Sequence, residues 1–408
     1  MAQIAPFKGL RPKPELVSRV AVLPYDVVDT EEARRIAEGN RFSFFHVSKP
    51  EIDFPQGTDL HDPKVYRYGK EYLSGMIREG IMRIDEKPCY YCYTQIMDGR
   101  EQTGFIACVS IDDYLQNRVK RHELTRQDKE DDRTNHTDII NANTGQVFLF
   151  YKDNDSKQAL REEVLRLEPV YDFISEDGVR HIVRVIGDER LIQALTASFE
   201  DDILYIADGH HRAAAAVRVG MKRREQAIKY DGSEEFNRFM AVLFPHRQLK
   251  ILAYNRVVRD LNGMSTEAFL EAVQKKFSLE VTGRNEPEQV HEFCMFCAGK
   301  WYLLKPIFEM SRHPVASLDV SVLQEHLLKP ILGIQDPRTD PRIDFVGGKG
   351  SASEIQRRVE RGDYAVAFSL YPTTIEQLMN VADENGIMPP KSTWFEPKLR
   401  CGIVVHLL

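Results

Sequence analysis

The sequence predicts a mixed α/β fold, in which helical and strand-like segments alternate along 408 residues. Residues 203–207 form a short apolar run typical of a buried strand, and the alanine-rich segment 213–216 is typical of a helix. Several segments with the polar–apolar pattern of a helix begin after an Asp or Ser residue, which are types that commonly cap helices. A tyrosine-rich segment turns at Asp98 and Gly99, which is the usual signature of a β-hairpin.

Local signals define the elements of the N-terminal part. Residues 20–28 (VAVLPYDVV) predict a strand that enters a turn. Residues 29–39 predict a short helix, because an Asp-x-x-Glu capping box opens the segment and a glycine ends it. Asp62 predicts the start of a longer helix that ends near Gly80, and residues 89–111 predict the hairpin.

The middle of the chain begins with the polar stretch 121–138 (RHELTRQDKEDDRTNHTD), which allows two interpretations. A helix is expected over residues 188–199, followed by the strand 203–207. Asp208 is expected to cap the next helix, which is expected to stop at Gly220. Strands over 239–246 and 249–258 are predicted to complete the same sheet. In the last part of the chain, helices are predicted after the cap Ser265 and after Asp319, and a helix end is predicted within 290–300. A strand is predicted over 343–346 before a glycine-rich turn, and a terminal strand over 402–408.

The length and these signals predict three domains, over residues 1–111, 112–260 and 261–408. The net charge is −7 and no long Lys/Arg run is present, which argues against nucleic-acid binding. No run of eighteen apolar residues occurs, so we expect a cytoplasmic protein without membrane contact. The two C-x-x-C pairs lie about two hundred residues apart, too far for a compact zinc site, and no metal site is predicted. Whether the chain forms a homo-oligomer is left open.

The segment ADGHHR (residues 207–212) carries the strongest functional signal. A helix that starts after Asp208 gathers backbone N–H groups and the positive end of its dipole at Gly209, His210, His211 and Arg212. Such a turn can hold phosphate groups. The alternative is an ordinary capped helix with polar residues on its first turn. Adjacent histidines point about 100° apart on a helix, which disfavours chelation of one metal by this pair.

Two other polar segments leave alternatives open. Residues 121–138 are either a solvated surface stretch or an active-site loop. The C-terminal PPKSTWFEPK segment is either a lid that brings a lysine to a phosphate or a proline-stiffened connector. In the functional interpretation, Arg121 and Lys129 bind phosphate, Glu123 or Asp132 acts as base or Mg²⁺ ligand, His136 shuttles a proton, and Lys391 and Lys398 flank Trp394 and Phe395.

ADGHHR and the helix after it resemble the signature turn of the ParB/sulfiredoxin-like superfamily, whose members hold nucleotide phosphates there and include free serine kinases. The whole chain resembles a prokaryotic family of uncharacterised proteins, domain of unknown function 1015. The segments that carry this second resemblance are PYDVV (24–28), RHELT (121–125), KEDDRTNH (129–136), ADGHHR, LDVSVLQEHLL (318–328) and MPPKSTWFEPKL (388–399).

The resemblance implies a ParB/sulfiredoxin-like nucleotide-binding core with additional mixed α/β segments. It also implies an enzyme, a small-molecule kinase that uses ATP or ADP with Mg²⁺ on a hydroxylated metabolite. The alternatives are a ParB-like regulatory module that binds nucleotide without turnover, and a metal-dependent hydrolase. The kinase hypothesis assigns catalysis to Glu123 and Asp208, nucleotide phosphates to Gly209, His210, His211 and Arg212, and substrate binding to Arg121, His122 and Lys391.

Overall fold

The computed structural model describes residues 3–408, and its mixture of helices and sheets confirms the predicted α/β class. The chain divides into two compact units. The first unit contains Met1–Leu249 and Pro397–Leu408, and the second contains Lys250–Glu396. The three predicted domains stay a prediction, because compact units do not report which segments fold on their own. Within residues 3–408, no helix is both long and apolar enough to cross a membrane.

Thirteen α-helices lie in the described part of the chain. They are α1 Val17–Val20, α2 Thr30–Ala37, α3 Phe45–Ser48, α4 Pro63–Arg78, α5 Ile111–Leu115, α6 Gln127–Ile140, α7 Asp155–Val164, α8 Glu189–Ser198, α9 His210–Gln226, α10 Thr266–Gln274, α11 Asp319–Leu323, α12 Ser351–Glu360 and α13 Ile375–Asp383. Shorter 3₁₀ turns cover Pro14–Leu16, Pro50–Asp53, Glu235–Asn237 and His246–Gln248, and a π-helical turn covers Gln324–Leu328.

Twenty-one strands lie in the same residues. They are β1 Ile4–Ala5, β2 Leu10–Pro12, β3 Met82–Ile84, β4 Tyr90–Met97, β5 Arg100–Ser110, β6 Val119–Lys120, β7 Ala142–Asn143, β8 Val147–Tyr151, β9 Tyr171–Ile174, β10 Arg180–Ile186, β11 Leu204–Asp208, β12 Arg238–Pro245, β13 Ile251–Leu252, β14 Tyr254–Val258, β15 Phe277–Thr282, β16 Phe293–Cys297, β17 Lys300–Pro306, β18 Ile343–Gly347, β19 Val366–Leu370, β20 Trp394–Phe395 and β21 His406–Leu407.

A nine-stranded sheet organises the first unit, in the order β6-β11-β8-β12-β5-β4-β10-β9, with β1 paired to β5. Most pairs are antiparallel, but β11 runs parallel to β6 and β12 runs parallel to β8. Parallel neighbours end at the same edge of a sheet. The segment after β6 and the start of α9 after β11 therefore meet at one edge, which places RHELT beside ADGHHR.

Helix α9 packs its small residues on this sheet. Ala213, Ala214, Ala216 and Val217 are buried in one core cluster with apolar side chains of β8, β11 and β12. Alanine side chains let a helix approach a sheet closely. The buried face of α9 therefore fixes the height of its first turn above the end of β11.

The second unit is built on an antiparallel six-stranded sheet, in the order β15-β17-β16-β19-β14-β18. Helix α12 covers part of this sheet, where Ile355 packs with Val257, Cys294 and Ala367. Strands β13 and β20 form a separate two-stranded sheet in the same unit.

The capped helices and the hairpin confirm the local predictions. Asp29 and Asp62 accept hydrogen bonds from the first turns of α2 and α4 through their side chains. Asp188 and Ser265 do the same for α8 and α10. Met97 pairs with Arg100 across a turn in which Asp98 and Gly99 both have positive φ, as a tight hairpin requires.

Helix α9 differs from its prediction at both ends. Gly209, not Asp208, is the N-cap residue, because its left-handed φ of 93° turns the chain from strand to helix in one residue. The helix also passes Gly220 and ends at Gln226. Gly220 serves packing instead, since a Cβ there would lie 2.5 Å from the carbonyl oxygen of Phe236. Gly220 therefore does not end the helix as predicted; it allows the helix to pack closely against the backbone of Phe236.

Other corrections concern elements whose partners lie far along the chain. Residues 127–138 of the polar stretch belong to α6, which continues to Ile140. Residues 20–28 contain the end of α1 and a turn with one bridge at Val22, in place of the predicted strand. Residues 293–297 are strand β16 rather than a helix end. Residues 251–258 do not complete the first sheet but form β13 and β14 of the second unit. Of the terminal strand predicted over 402–408, only β21 is a strand.

Candidate functional site

The candidate site lies where β11 ends and α9 begins. The register of β11 against β8 shifts between Ile206 and Asp208, which is a β-bulge at Ala207. Bulges re-aim the side chains beside them. Gly209 then adopts its left-handed conformation, and a Cβ at this position would lie 3.0 Å from Cζ of Arg212. Only glycine therefore allows this turn together with the observed position of the Arg212 side chain.

Four charged side chains surround this turn. Nη2 of Arg212 lies 3.4 Å from Oδ2 of Asp208 and 3.7 Å from Oδ2 of Asp26. Nζ of Lys398 lies 3.7 Å from the same oxygen of Asp208. The cations are nearly buried, at 8% and 13% side-chain exposure, whereas both carboxylates are about one third exposed. The solvent-facing part of this cluster is thus acidic and the inner part is basic.

The cations determine the protonation of Asp208. Burial by itself would raise the pKa of this carboxyl group, but the charges of Lys398 and Arg212 and the N–H of Gly209 outweigh burial and hold the pKa well below its usual range. Asp208 is therefore ionised at every physiological pH. A carboxylate with so low a pKa is a poor general base and a good ligand for a cation.

Arg212 is anchored from inside the first unit. Its Nη1 donates a hydrogen bond to the carbonyl oxygen of Gln146, while its buried Nε has no hydrogen-bond partner among residues 3–408. One donor of this guanidinium therefore lacks an acceptor within the described residues. The role of Arg212 in phosphate binding stays a prediction.

His122, Glu123 and His210 form a second cluster beside the same turn. The rings of His122 and His210 are perpendicular, with centroids 4.6 Å apart. Nδ1 of His210 lies 3.9 Å from Oε2 of Glu123. Burial lowers the pKa of His122 to about 4, even though the imidazole donates to the carbonyl of Ile206, and burial beside His122 lowers the pKa of His210 well below its usual value. Both imidazoles are therefore neutral at pH 7.

The other predicted residues lie around this pair of clusters. Nε2 of His211 accepts a hydrogen bond of 3.0 Å from the backbone N–H of Arg126, so this ring serves the RHELT segment. Arg121 is exposed, with its guanidinium 4.9 Å from the ring centroid of Tyr114. Lys391 belongs to the second unit, where Nζ lies 5.5 Å from the ring centroid of Tyr254.

Helix α6 gives its predicted catalytic residues structural contacts. Asp132 accepts a hydrogen bond of 2.7 Å from Tyr66 and pairs with Arg133, and this charge lowers its pKa to about 2 against the opposing effect of burial. Burial lowers the pKa of His136 to about 3, and its Nε2 lies 3.0 Å from the carbonyl of Val47. A histidine that stays neutral throughout the physiological range does not suit proton shuttling.

Most of the chain matches the sequence pattern of one protein family. The family described as "Protein of unknown function (DUF1015)" matches residues 4–321. The chain belongs to the DUF1015 family. No curated protein matches it in sequence.

Several solved structures are similar to this DUF1015 protein. A variant of free serine kinase in complex with AMP shares 12% identity at a TM-score of 0.38, covering 71% of this chain and 86% of that chain. A variant in complex with ADP shares 12% identity at 0.37, covering 71% and 87%. A conserved hypothetical protein from Pyrococcus furiosus shares 14% identity at 0.36, covering 74% and 95%.

In this DUF1015 protein, two residues of the charged cluster are not among those that the sequence assigns to the site. Asp26 lies in the PYDVV segment that carries the family resemblance, but it has no predicted role. Lys398 is predicted only to flank Trp394, and the prediction that names Lys391 as the lysine of the site stays a prediction. No local pattern distinguishes the two lysines; only the return of residues 397–408 to the first unit brings Lys398 to Asp208.

Beside Arg212 the first unit contains a small cavity of about 30 Å³. Arg133, Tyr25 and Ser48 line it together with Arg212. This volume holds one or two water molecules and is too small for a nucleotide.

Proposed function

We propose that this protein is a phosphotransferase that moves a phosphoryl group from ATP or ADP to a hydroxyl group of a small metabolite, in the cytoplasm. The observation that carries the proposal is the turn at Asp208 and Gly209. There a left-handed glycine opens a helix N-terminus beside two buried cations and one permanently ionised carboxylate. Phosphoryl transfer requires positioning and charge neutralisation above all, and these groups supply both.

The nucleotide phosphates would bind at the start of α9. The backbone N–H groups of His210, His211 and Arg212 lie in the first helical turn, where no helical carbonyl accepts from them. The absence of a side chain at Gly209 lets the guanidinium of Arg212 lie against the backbone of this turn, beside these N–H groups. The buried Nε of Arg212 and the ammonium of Lys398 add donors and positive charge.

The residues also fit Mg²⁺. Asp208 and Asp26 offer carboxylate oxygens, which this ion prefers, and both remain about one third exposed. When bound, Mg²⁺ would neutralise charge on the phosphates. In this proposal Asp208 therefore binds the cation and does not accept a proton. Of the two catalytic residues assigned from the sequence, Glu123 alone remains as the candidate for the general base.

Glu123 is then the general base. Its side chain is 40% exposed, so a substrate hydroxyl can reach it, and His210 lies beside it at 3.9 Å. The hydroxyl oxygen attacks the terminal phosphorus, the bond from phosphorus to the nucleotide oxygen breaks, and the hydroxyl proton passes to Glu123. The exposed guanidinium of Arg121 would bind an anionic group of the acceptor, and a contact from Lys391 remains part of the proposal. His122 packs edge-on against His210 from the buried side.

The test is an assay of purified full-length protein with ATP or ADP, Mg²⁺ and a panel of hydroxylated metabolites. Glu123→Gln should lose at least about a hundredfold in turnover and keep its nucleotide affinity, since general base catalysis contributes about 10²–10⁴ in rate. Asp128→Asn is the matched control, because Asp128 is exposed and its ion pair is with the neighbouring Arg126. Full activity of Glu123→Gln would show that the base is another residue. Tight nucleotide binding without product from any acceptor would favour the regulatory module instead.

A further inference from the structure

The cluster of His122, Glu123 and His210 has the composition of a metal centre. Each residue offers one ligand atom, and these atoms all lie within 4.8 Å of one another. The residues come from two chain segments, the loop after β6 and the first position of α9, which the parallel pairing of β6 and β11 brings together. We propose that His122, Glu123 and His210 bind a divalent transition-metal ion. This inference goes beyond the proposed phosphotransferase and does not depend on it.

The buried polar atoms of the cluster support a ligand at this place. Nε2 of His210 is buried and has no hydrogen-bond partner among the described residues. One ring nitrogen of His122 donates to the carbonyl of Ile206, so its other nitrogen carries the lone pair. A metal-binding histidine commonly donates its second nitrogen to a carbonyl, which fixes the tautomer and the ring.

The ligand set selects the class of ion. Two imidazole nitrogens and one carboxylate suit Zn²⁺, Fe²⁺ or Co²⁺, whereas Mg²⁺ and Ca²⁺ prefer oxygen alone. Metal–nitrogen bonds of about 2 Å bring ligands to roughly 3.5 Å from one another, so small side-chain shifts suffice. Three protein ligands leave a coordination position open to water or substrate, as in catalytic rather than structural sites. Because Glu123 cannot hold this ion and accept a proton at the same time, the phosphoryl transfer proposed above takes place in the form of the protein without the transition metal.

Two other sets of possible metal ligands are already engaged in hydrogen bonds. His211 follows His210 in sequence, but its Nε2 accepts from the N–H of Arg126. A second group of possible ligands, Cys108, Glu235 and His406, is already satisfied, because Nδ1 and Nε2 of His406 lie 3.0 and 2.8 Å from oxygens of Asn143 and Glu235. The second group provides the control variant, Cys108→Ser.

The test is titration of chelator-treated, full-length protein with Zn²⁺ alone by calorimetry, and with Co²⁺ by visible absorption. We expect one Zn²⁺ per chain and a cobalt spectrum with nitrogen ligands. Glu123→Gln and His210→Ala should each weaken binding by about a hundredfold or more, while Cys108→Ser binds as the parent does.

Two outcomes would overturn the metal site: no stoichiometric binding, or unchanged affinity in Glu123→Gln. Because Glu123 is partly exposed, this variant should fold even where His210→Ala does not, and thermal melting without metal checks both. Phosphoryl transfer is assayed separately, with Mg²⁺ after removal of transition metals. Failure of either proposal is therefore visible without the other.

Discussion

At the scale of single residues, one glycine determines the geometry of the candidate site. With φ at 93°, Gly209 ends β11 and starts α9 without a capping side chain. The carboxylate of Asp208 is thus directed to Lys398 and Arg212 rather than used as a helix cap. The side chain of Arg212 occupies the space that a Cβ at position 209 would need.

We predict that Gly209→Ala destabilises the protein by about 2–3 kcal/mol, because left-handed backbone strain and a 3.0 Å contact with Arg212 add together. Gly178→Ala is the matched control: its φ is 78° and nothing lies within 4 Å of its Cβ position. It should cost only the backbone strain, about 1 kcal/mol. Urea denaturation measures both, and equal costs would contradict the proposed contact.

At the scale of elements, α6 shows how a helix without an apolar stripe is held in place. Arg133, His136 and Ile140 are buried although the helix is mostly polar. On the side facing α9, Asp131 pairs with Arg218 at 2.6 Å and Asp138 pairs with Lys222 at 2.6 Å. Ion pairs between two helices thus replace the regular apolar periodicity on which helix prediction depends.

Helix α9 offers a test of close approach at Gly220. Alanine normally stabilises a helix interior by about 1 kcal/mol relative to glycine. Here the added Cβ would lie 2.5 Å from the carbonyl oxygen of Phe236 and from Cδ1 of Ile111. We therefore predict that Gly220→Ala destabilises the protein by about 1–2 kcal/mol.

The control for this prediction is Gly75→Ala in α4, where the nearest atom to the added Cβ is Nη2 of Arg78 at 3.7 Å. This substitution should stabilise the protein by about 0.5–1 kcal/mol. Chemical denaturation of the two variants should give changes of opposite sign. A gain in stability at position 220 would show that α9 does not lie so close to its neighbours.

At the scale of the whole molecule, buried neutral histidines tie stability to pH. Burial lowers the pKa of His136 and of His181 to about 3, against 6.5 in the unfolded chain. Between pH 6.5 and 3 the unfolded chain binds more protons at these positions than the folded chain. Their contribution to stability is therefore present above pH 6.5 and is lost as the pH falls through this window.

We predict that His136→Gln reduces the loss of stability on acidification. One such histidine changes the free energy of unfolding by about 1.4 kcal/mol per pH unit in the window. Urea unfolding at pH 7, 5.5 and 4.5 compares the slopes of parent and variant. The neighbouring Arg133 and Asp132 keep their charges throughout, because the pKa of Asp132 is about 2. Parallel slopes would refute a buried neutral His136.

The sequence by itself determined the features that depend on adjacent residues. Caps at Asp29, Asp62, Asp188 and Ser265, and the turn at Asp98, depend on hydrogen bonds and dihedral angles within a few residues. The strand–glycine–helix order at Gly209 was readable for the same reason. Tertiary structure alone decided that Asp26 and Lys398 meet at Asp208, and that Gly220 lies within a helix. These outcomes depend on contacts between residues that lie far apart in the sequence, and local sequence patterns do not predict such contacts.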